Sequence, residues 1–324
     1  MKLQILIPQW NETDEIIKPL LDSIQIQQNV DLKKDVGIII VNDGSNIRLS
    51  KELLDSYTYH IDYYLHEHRG VSATRNACLD YATADYVMFC DADDMFYNAC
   101  GLYIIFKEIQ NDGFDSFVSK FIEETRIDDT DEPLYINHDI DSTFVHGKVY
   151  RRQYLINQDI RWNEALTLHE DGYFNTLCQR LTESIKYCST PFYLWKWRDN
   201  SVCRSDKAWV MKTYDHFIRG NEALVDEFIK RNKVDFAQCY IAVLFVDAYF
   251  TTSDAAWNNL DEAYRRNINQ KLQRYYYKYN HLFSDVSSNF KDKLMRNITC
   301  RLEANKDILQ EVTFEKWLNK LLSN

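Results

Sequence analysis

The sequence is poor in the residues that break regular structure, with only 8 Gly and 4 Pro among 324 residues. This excludes collagen-like and low-complexity architectures and makes each Gly or Pro informative about its position. Eight cysteines lie at 78, 90, 100, 178, 188, 203, 239 and 300, with no CxxC pair and no cysteine–histidine cluster at zinc spacing. They read as buried thiols of a reducing compartment, because oxidised frameworks belong mainly to short secreted chains. Basic charge is in deficit: 38 Lys and Arg against 49 Asp and Glu leave a formal charge of −11. Bulk attraction to nucleic acid or anionic lipid is therefore not expected. Long apolar runs are also missing. The most apolar late stretch, Ile241 to Phe250, is interrupted by Asp247 and falls short of the roughly 20 residues a bilayer span needs. The N-terminal MKLQILIPQWNE enters a strand-like run directly, without a leader-like segment. The expectation is a cytoplasmic protein with no transmembrane segment, peripheral at most to the inner membrane face. The Asn-x-Thr triplets at Asn11 and Asn297 then carry no weight as glycan acceptors.

What is present is a globular balance of 45% hydrophobic and 27% charged residues. Short apolar runs at Leu3–Ile7, Val36–Val41, Ile61–Leu65 and Tyr86–Cys90 predict buried strands. Between them, Ile16, Ile17, Leu20, Leu21 and Ile24 recur at helical spacing behind Thr13 as a candidate N-cap, and Ser72 is a candidate cap for a helix to Tyr81. Pro19 implies a late start or a kink in the first of these helices. Strands alternating with helices predict an α/β fold with a parallel sheet and right-handed crossovers. Further on, Phe114–Phe121 and Ile185–Trp195 read as strands, Arg151–Asn157 and Glu170–Leu181 as helices, and the acidic stretch Glu123–Glu132 as a solvated loop. After about Asp206 the chain reads as helices with Gly220 as its only glycine. The predicted organisation is a catalytic domain over 1–205 and a helical C-terminal region over 206–324.

In open α/β sheets, ligands bind beyond the carboxyl ends of the strands. Four such ends carry polar residues here: Pro8–Glu12, Asn42–Ser45, His68–Asn76 and Asp91–Asp94. Asp91-x-Asp93 directly after YVMFC is the sharpest feature. Paired carboxylates need a cation or donors to offset their repulsion, and hard oxygen ligands suit Mg²⁺ or Mn²⁺ completed by a diphosphate. The plainer reading is an acidic cluster in which Asp93 or Asp94 caps a following helix.

The blocks LQILIPQWNE, IIIVNDGSN, HRGVSATRNACLDYATADYVMFCDADD and HEDGYFN, in this order and spacing, resemble the family 2 glycosyltransferases of the GT-A fold over roughly the first 200 residues. The resemblance implies an inverting, nucleotide-sugar-dependent enzyme, with a mostly parallel sheet flanked by helices. It implies that Pro8, Trp10, Asn11 and Glu12 line the nucleotide site, and that Asp43 meets the base or ribose. His68, Gly70, Ser72, Arg75 and Asn76 fall on the family's Asn-x-Gly-x-Ser-x-Ala-Arg-Asn block, where Arg75 reaches the nucleotide. Asp93 falls on the direct metal ligand and Asp91 on a residue nearer the ribose and metal-bound water. Glu170-Asp171 falls on the pair whose second member is the general base. Asn42, His68, Thr74 and Cys78 depart from the family pattern and leave the identity of the base open.

Displacing a nucleoside diphosphate from an anomeric carbon requires charge stabilisation on the leaving group and removal of the acceptor's proton. Asp91 and Asp93 with Mn²⁺ or Mg²⁺ answer the first need. Asp171 answers the second, with Glu170 as runner-up and a helix-start acid as the structural alternative. The expected donor is a nucleotide-sugar, a uridine diphosphate sugar first. The acceptor is expected to be a glycan, a polyol or a lipid-linked molecule, such as a bacterial surface polysaccharide, teichoic acid or glycolipid. A non-catalytic nucleotide-sugar-binding assembly protein is one alternative. An Asp-nucleophile phosphotransferase is another, disfavoured because Met95 stands where a hydroxyl residue belongs. Trp195, Trp197, Lys148 and His169 are read as packing or solvated residues before any role in the site. Tyr275–Tyr277 and the C-terminal helices are left to packing, acceptor binding or homo-oligomerisation.

Overall fold

A computed structural model of the chain describes residues 1–127, 130, 132–140, 143–198, 209–284, 296 and 313–323. The chain divides into two compact units, Met1–Ser201 and Val202–Asn324. The boundary expected near residue 205 lies outside the described residues.

The first unit is built on a nine-stranded sheet. Its strands are β1 (Leu3–Gln9), β2 (Val36–Asp43), β3 (His60–His66), β4 (Tyr86–Phe89), β5 (Met95–Phe96), β6 (Ser116–Arg126), β7 (Pro133–His138), β8 (Lys148–Arg151) and β9 (Ile185–Trp195). Their order is β3-β2-β1-β4-β8-β6-β9-β5, with β7 paired to β6. The β3-β2-β1-β4 half is parallel throughout, as the strand and helix alternation predicts. Beyond β4 the sheet is mixed: β8 runs antiparallel to β4 and β6, β5 runs antiparallel to β9, and β6 and β9 pair in parallel. Every residue of β2 is buried, which explains its continuous apolar run, since both faces of a central parallel strand are covered. One core joins Leu3, Ile5 and Ile7 to Val36, Ile38 and Ile40, and to Ile17, Leu20, Leu21 and Ile24 of the Asp14–Gln25 helix. Burying each such side chain is worth roughly 1.5–3 kcal/mol, enough to carry Pro19 inside that helix. The expected late start is therefore not seen. Parallel registers bring β1, β2 and β4 to an end on one edge, where β2 closes on Asp43 and Trp10 and Asp91 lie just past β1 and β4.

Two local expectations are corrected. The Val71–Tyr81 helix begins behind Gly70, whose φ of +90° only glycine adopts readily, while the Ser72 hydroxyl donates to the Leu166 carbonyl at 3.3 Å. The acidic stretch is not simply a loop. β6 runs on to Arg126 and pairs with β7 from Phe121↔His138 to Arg126↔Pro133. Glu123 meets His138 at 2.6 Å and Glu124 pairs with Arg126 at 2.8 Å, so local partners offset the repulsion that argued against a strand.

The second unit contains the helices Tyr214–Lys230, Val234–Ser253, Glu262–Ser284 and Phe314–Ser323. Asp247, the charge inside the apolar run, accepts a hydrogen bond from the Tyr214 hydroxyl at 3.0 Å. The helix around it is longer than the run read from the sequence. Among the described residues, Val234–Ser253 is the one helix long and apolar enough to cross a membrane, and 44% of its apolar window is buried within the protein. In the Tyr275–Tyr277 run, Tyr275 is buried and donates to Asn221 at 2.6 Å, whereas Tyr277 is exposed.

Candidate active site

At the end of β1, Pro8 stands beyond the last β1–β4 pair, Leu6↔Phe89, so its missing N–H falls where β4 pairing has stopped. Asn11 follows with φ +68°, a conformation its short amide tolerates, and its Oδ1 accepts from the Ser45 hydroxyl at 2.9 Å. Glu12 folds back so that Oε2 accepts the Trp10 N–H at 2.5 Å. Burial is the main influence raising the Glu12 pKa, aided by Asp93 and opposed by backbone N–H groups and Arg198.

The turn after β2 explains the departure at position 42. The buried Asn42 amide donates to Gln9 Oε1 at 2.6 Å and to the Ile47 carbonyl at 2.9 Å, while its Oδ1 accepts from Ser45 N at 2.8 Å. An aspartate there would have no donor to offer. Asp43 is also largely committed to the protein: it accepts from Arg69 N at 2.8 Å and Gly70 N at 3.0 Å and meets His68 Nδ1 at 2.9 Å. The carboxylate thereby ties β2 to the loop before the Val71–Tyr81 helix. Above it the Trp10 indole, 55% exposed, stacks on His68 with centroids 5.4 Å apart.

The centre of the site is Arg75, 3% exposed on the Val71–Tyr81 helix. Its Nη2 donates to Asp91 Oδ1 at 2.9 Å, and its Nη1 to Asp171 Oδ1 at 2.7 Å and Glu170 Oε1 at 3.2 Å. The guanidinium lies 4.4 Å from the Trp162 ring centroid. Burial disfavours its charge, but Asp171, Asp91 and Glu170 together outweigh that and hold it protonated. Asp171 lies in the first turn of the Glu170–Arg180 helix. Its pKa is pushed up to about 7, chiefly by burial, with Arg75 and Lys148 pulling down and Glu170 and Asp91 pushing up.

Asp91 and Asp93 face different cations. Asp91 pairs with Arg75, whereas Asp93 Oδ2 accepts from Arg198 Nη1 at 3.0 Å, and the same nitrogen lies 3.4 Å from Glu12 Oε1. Each of these aspartates keeps one carboxylate oxygen to which no described donor is bonded, and each side chain is 32% exposed. Hard, partly exposed oxygens of this kind fit a divalent cation. Asp94 does not cap a helix, since the next helix starts at Gly101. It is buried, accepts from the Tyr193 hydroxyl at 2.6 Å and Lys196 N at 3.0 Å, and has a pKa raised by burial and by Asp91 and Asp93. Ligand-type atoms of Asp91, Asp94 and His146 lie within 4.8 Å of one another. The two bonds on Asp94 make it the residue that fixes the acidic turn, because Tyr193 also accepts the Asp91 N–H at 3.2 Å.

The structure brings nine of the predicted site residues into three groups: Trp10 with Asp43, His68 and Gly70; Asp91 with Arg75 and Asp171; and Glu12 with Asp93 through Arg198. Pro8 and Asn11 belong to the end of β1 beside them, whereas Ser72 and Asn76 bond the Leu166 and Trp162 carbonyls. Sequence reasoning missed Arg198, Trp162 and the Tyr193–Asp94 tether, all far along the chain from the groups they serve. Lys148 is a correction. Expected to be solvated, it is 1% exposed on β8 between β4 and β6, and donates to the Phe144 carbonyl. Its signal was the apolar pattern of the strand around it. Trp195 packs on Phe144 and His146, with centroids 5.4 and 5.0 Å away, as the packing reading expects. His169 stands at the helix N-cap with φ +63°.

Residues 4–170 match the description of glycosyl transferase family 2. Glycosyltransferase GlyA of Streptococcus pneumoniae is 27% identical over 231 residues, covering 63% of this chain and 32% of GlyA. Glycosyltransferase EpsJ of Bacillus subtilis is 24% identical over 225 residues, covering 62% of each protein. The chain therefore spans less than two thirds of the length of either relative. Staphylococcus aureus TarS 1–349, solved in complex with UDP, superposes with a TM-score of 0.60 at 18% identity, over 84% of this chain and 79% of that one. Mannosyltransferase PcManGT of Pyrobaculum calidifontis, solved with GDP-Man and Mn²⁺, superposes with a TM-score of 0.50 at 13% identity, over 69% and 64%. With the family match running from β1 to the start of the helix that carries Asp171, and the fold shared with these transferases, the chain belongs to glycosyl transferase family 2 and has the GT-A fold.

Proposed function

We propose that the chain transfers a sugar from a nucleoside diphosphate donor to an acceptor hydroxyl with inversion at the anomeric carbon, Asp171 acting as the base. One observation carries this reading: the single buried guanidinium of Arg75 bonds both Asp171 and Asp91. It fixes the distance between the acid that would take a proton and the acidic turn that would face the leaving group. The acceptor oxygen attacks the anomeric carbon as the bond to the diphosphate oxygen breaks, and the hydroxyl proton passes to Asp171. No described donor is bonded to Asp171 Oδ2. That oxygen is therefore open to the proton, and a pKa near 7 suits proton transfer at neutral pH.

A divalent ion, Mn²⁺ or Mg²⁺, held by Asp91 and Asp93 would offset the charge developing on the diphosphate. The stacked Trp10 and His68 rings offer a face for a nucleobase. Gly70, with nothing within 4 Å of where a Cβ would stand, lets a ligand approach the backbone. Pro8, Asn11 and Asp43 shape this wall, Asp43 by holding the His68–Gly70 loop. A uridine diphosphate sugar is the donor to test first, since the TarS neighbours are solved with UDP and UDP-GlcNAc. The acceptor falls in the class of polyol-rich surface polymers and lipid-linked glycans. Of the two compact units, the first serves as the catalytic domain and the second as a helical region for acceptor binding or self-association.

Calorimetric titration of the full chain with UDP, with and without Mn²⁺, tests the donor and metal assignments. Binding should require Mn²⁺, and Asp93→Ala should lose it while the circular dichroism spectrum is kept. Equal UDP affinity in the variant with Mn²⁺ present removes the metal assignment.

A further inference from the structure

Arg198, near the end of the first unit, connects two acids far apart in the sequence, Glu12 and Asp93. It stands three positions beyond β9, and its Nη1 lies 3.0 Å from Asp93 Oδ2 and 3.4 Å from Glu12 Oε1. Neither acid has another cationic partner among the described residues. The two arginines of the site differ in how they are held. The Arg75 side chain is 4% exposed and shared among Asp91, Glu170 and Asp171, so its position is fixed by three carboxylates and by Trp162. The Arg198 side chain is 40% exposed and is held by two acids at the solvent side. An exposed ion pair is worth little and is readily exchanged for another partner.

We propose that Arg198 is the built-in counter-ion of the donor site: a positioning residue that offsets part of the charge of Asp93 and Glu12, and whose own charge opposes a divalent cation at the open oxygen of Asp93. The inference rests on the reading of Asp91 and Asp93 as the metal-holding pair, and adds that protein charge opposes the metal when no nucleotide is present. Like charges a few ångströms apart repel strongly even when partly solvated. A divalent ion arriving alone at the open oxygen of Asp93 meets the guanidinium bonded to the other oxygen. A nucleoside diphosphate changes the balance, because its phosphate oxygens offer the planar guanidinium a bidentate partner that draws it away from Asp93. Metal and nucleotide then favour each other's binding, and by linkage the effect is equal in both directions.

The test is Mn²⁺ binding by the full chain, read as loss of the free-ion signal in electron paramagnetic resonance, with and without UDP, for the wild type, Arg198→Gln and Arg198→Lys. Arg198→Gln should bind Mn²⁺ alone roughly tenfold more tightly than the wild type, and UDP should strengthen its Mn²⁺ binding correspondingly less. Arg198→Lys keeps the charge and should stay within about threefold of the wild type. Arg198→Ala repeats the measurement should circular dichroism show the glutamine variant unfolded. Unchanged or weaker Mn²⁺ binding without UDP in the charge-removed variant overturns the role of Arg198 while leaving the metal pair in place. Absence of Mn²⁺ binding by the wild type, with or without UDP, overturns both.

Discussion

At the scale of single residues, the proposed chemistry rests on Arg75 and Asp171. A base works only in its ionised form, and burial holds the Asp171 carboxyl up to about 7. Raising the pKa of an acid depletes the carboxylate below that pH. Turnover should therefore be level above about pH 7 and fall as pH drops, approaching tenfold per unit well below it. A kcat/KM profile recorded from about pH 5 to about pH 8 checks this, and a flat profile would contradict the assignment. The helix that Glu170 and Asp171 open was legible in the sequence, and the base role of Asp171 was implied by the family resemblance. The bond of Asp171 to Arg75 was not legible, since the partners stand 96 residues apart. Lys148 shows the reverse failure: a lone lysine in a short strand looks solvated until the sheet order puts that strand in the interior.

Elements explain why these side chains converge. Short apolar runs ending in polar turns made β1, β2, β3 and β4 readable, and a shared parallel direction places their turns together. The mixed half of the sheet was less readable. Strand direction there depends on pairings between distant segments, and Glu123 meets His138 only once the β6–β7 hairpin has formed. The turn after β2 yields a prediction at this scale. Gly44 has φ +73°, and a Cβ there would stand 2.4 Å from the His68 backbone nitrogen. Gly44→Ala must push that loop away or strain its own backbone, at a cost of about 1–3 kcal/mol. A lowered Tm together with weaker UDP binding is expected, because the displaced loop carries His68 and Gly70. An unchanged Tm would show that the loop has room to shift.

The whole molecule joins a sheet-based unit, on which the candidate site stands, to a second unit of helices. Its net charge of −11 is unfavourable for a polyanionic donor, so binding has to rest on local cations at the strand ends rather than on the field of the whole protein. The second unit was legible as helical because turn residues are scarce. Its apolar helix was underestimated, since a hydrophobic run marks only the part of a helix that is apolar on every side. Within the first unit, the central claim is that Asp171 takes the acceptor proton while Arg75 holds it beside the donor site. The most direct measurement compares UDP release from a turned-over sugar donor, and UDP affinity with Mn²⁺, between the wild type and Asp171→Asn. Turnover should fall by about 10²-fold or more, with UDP affinity within about threefold of the wild type. Turnover at the wild-type rate would contradict the account and assign the proton to another group.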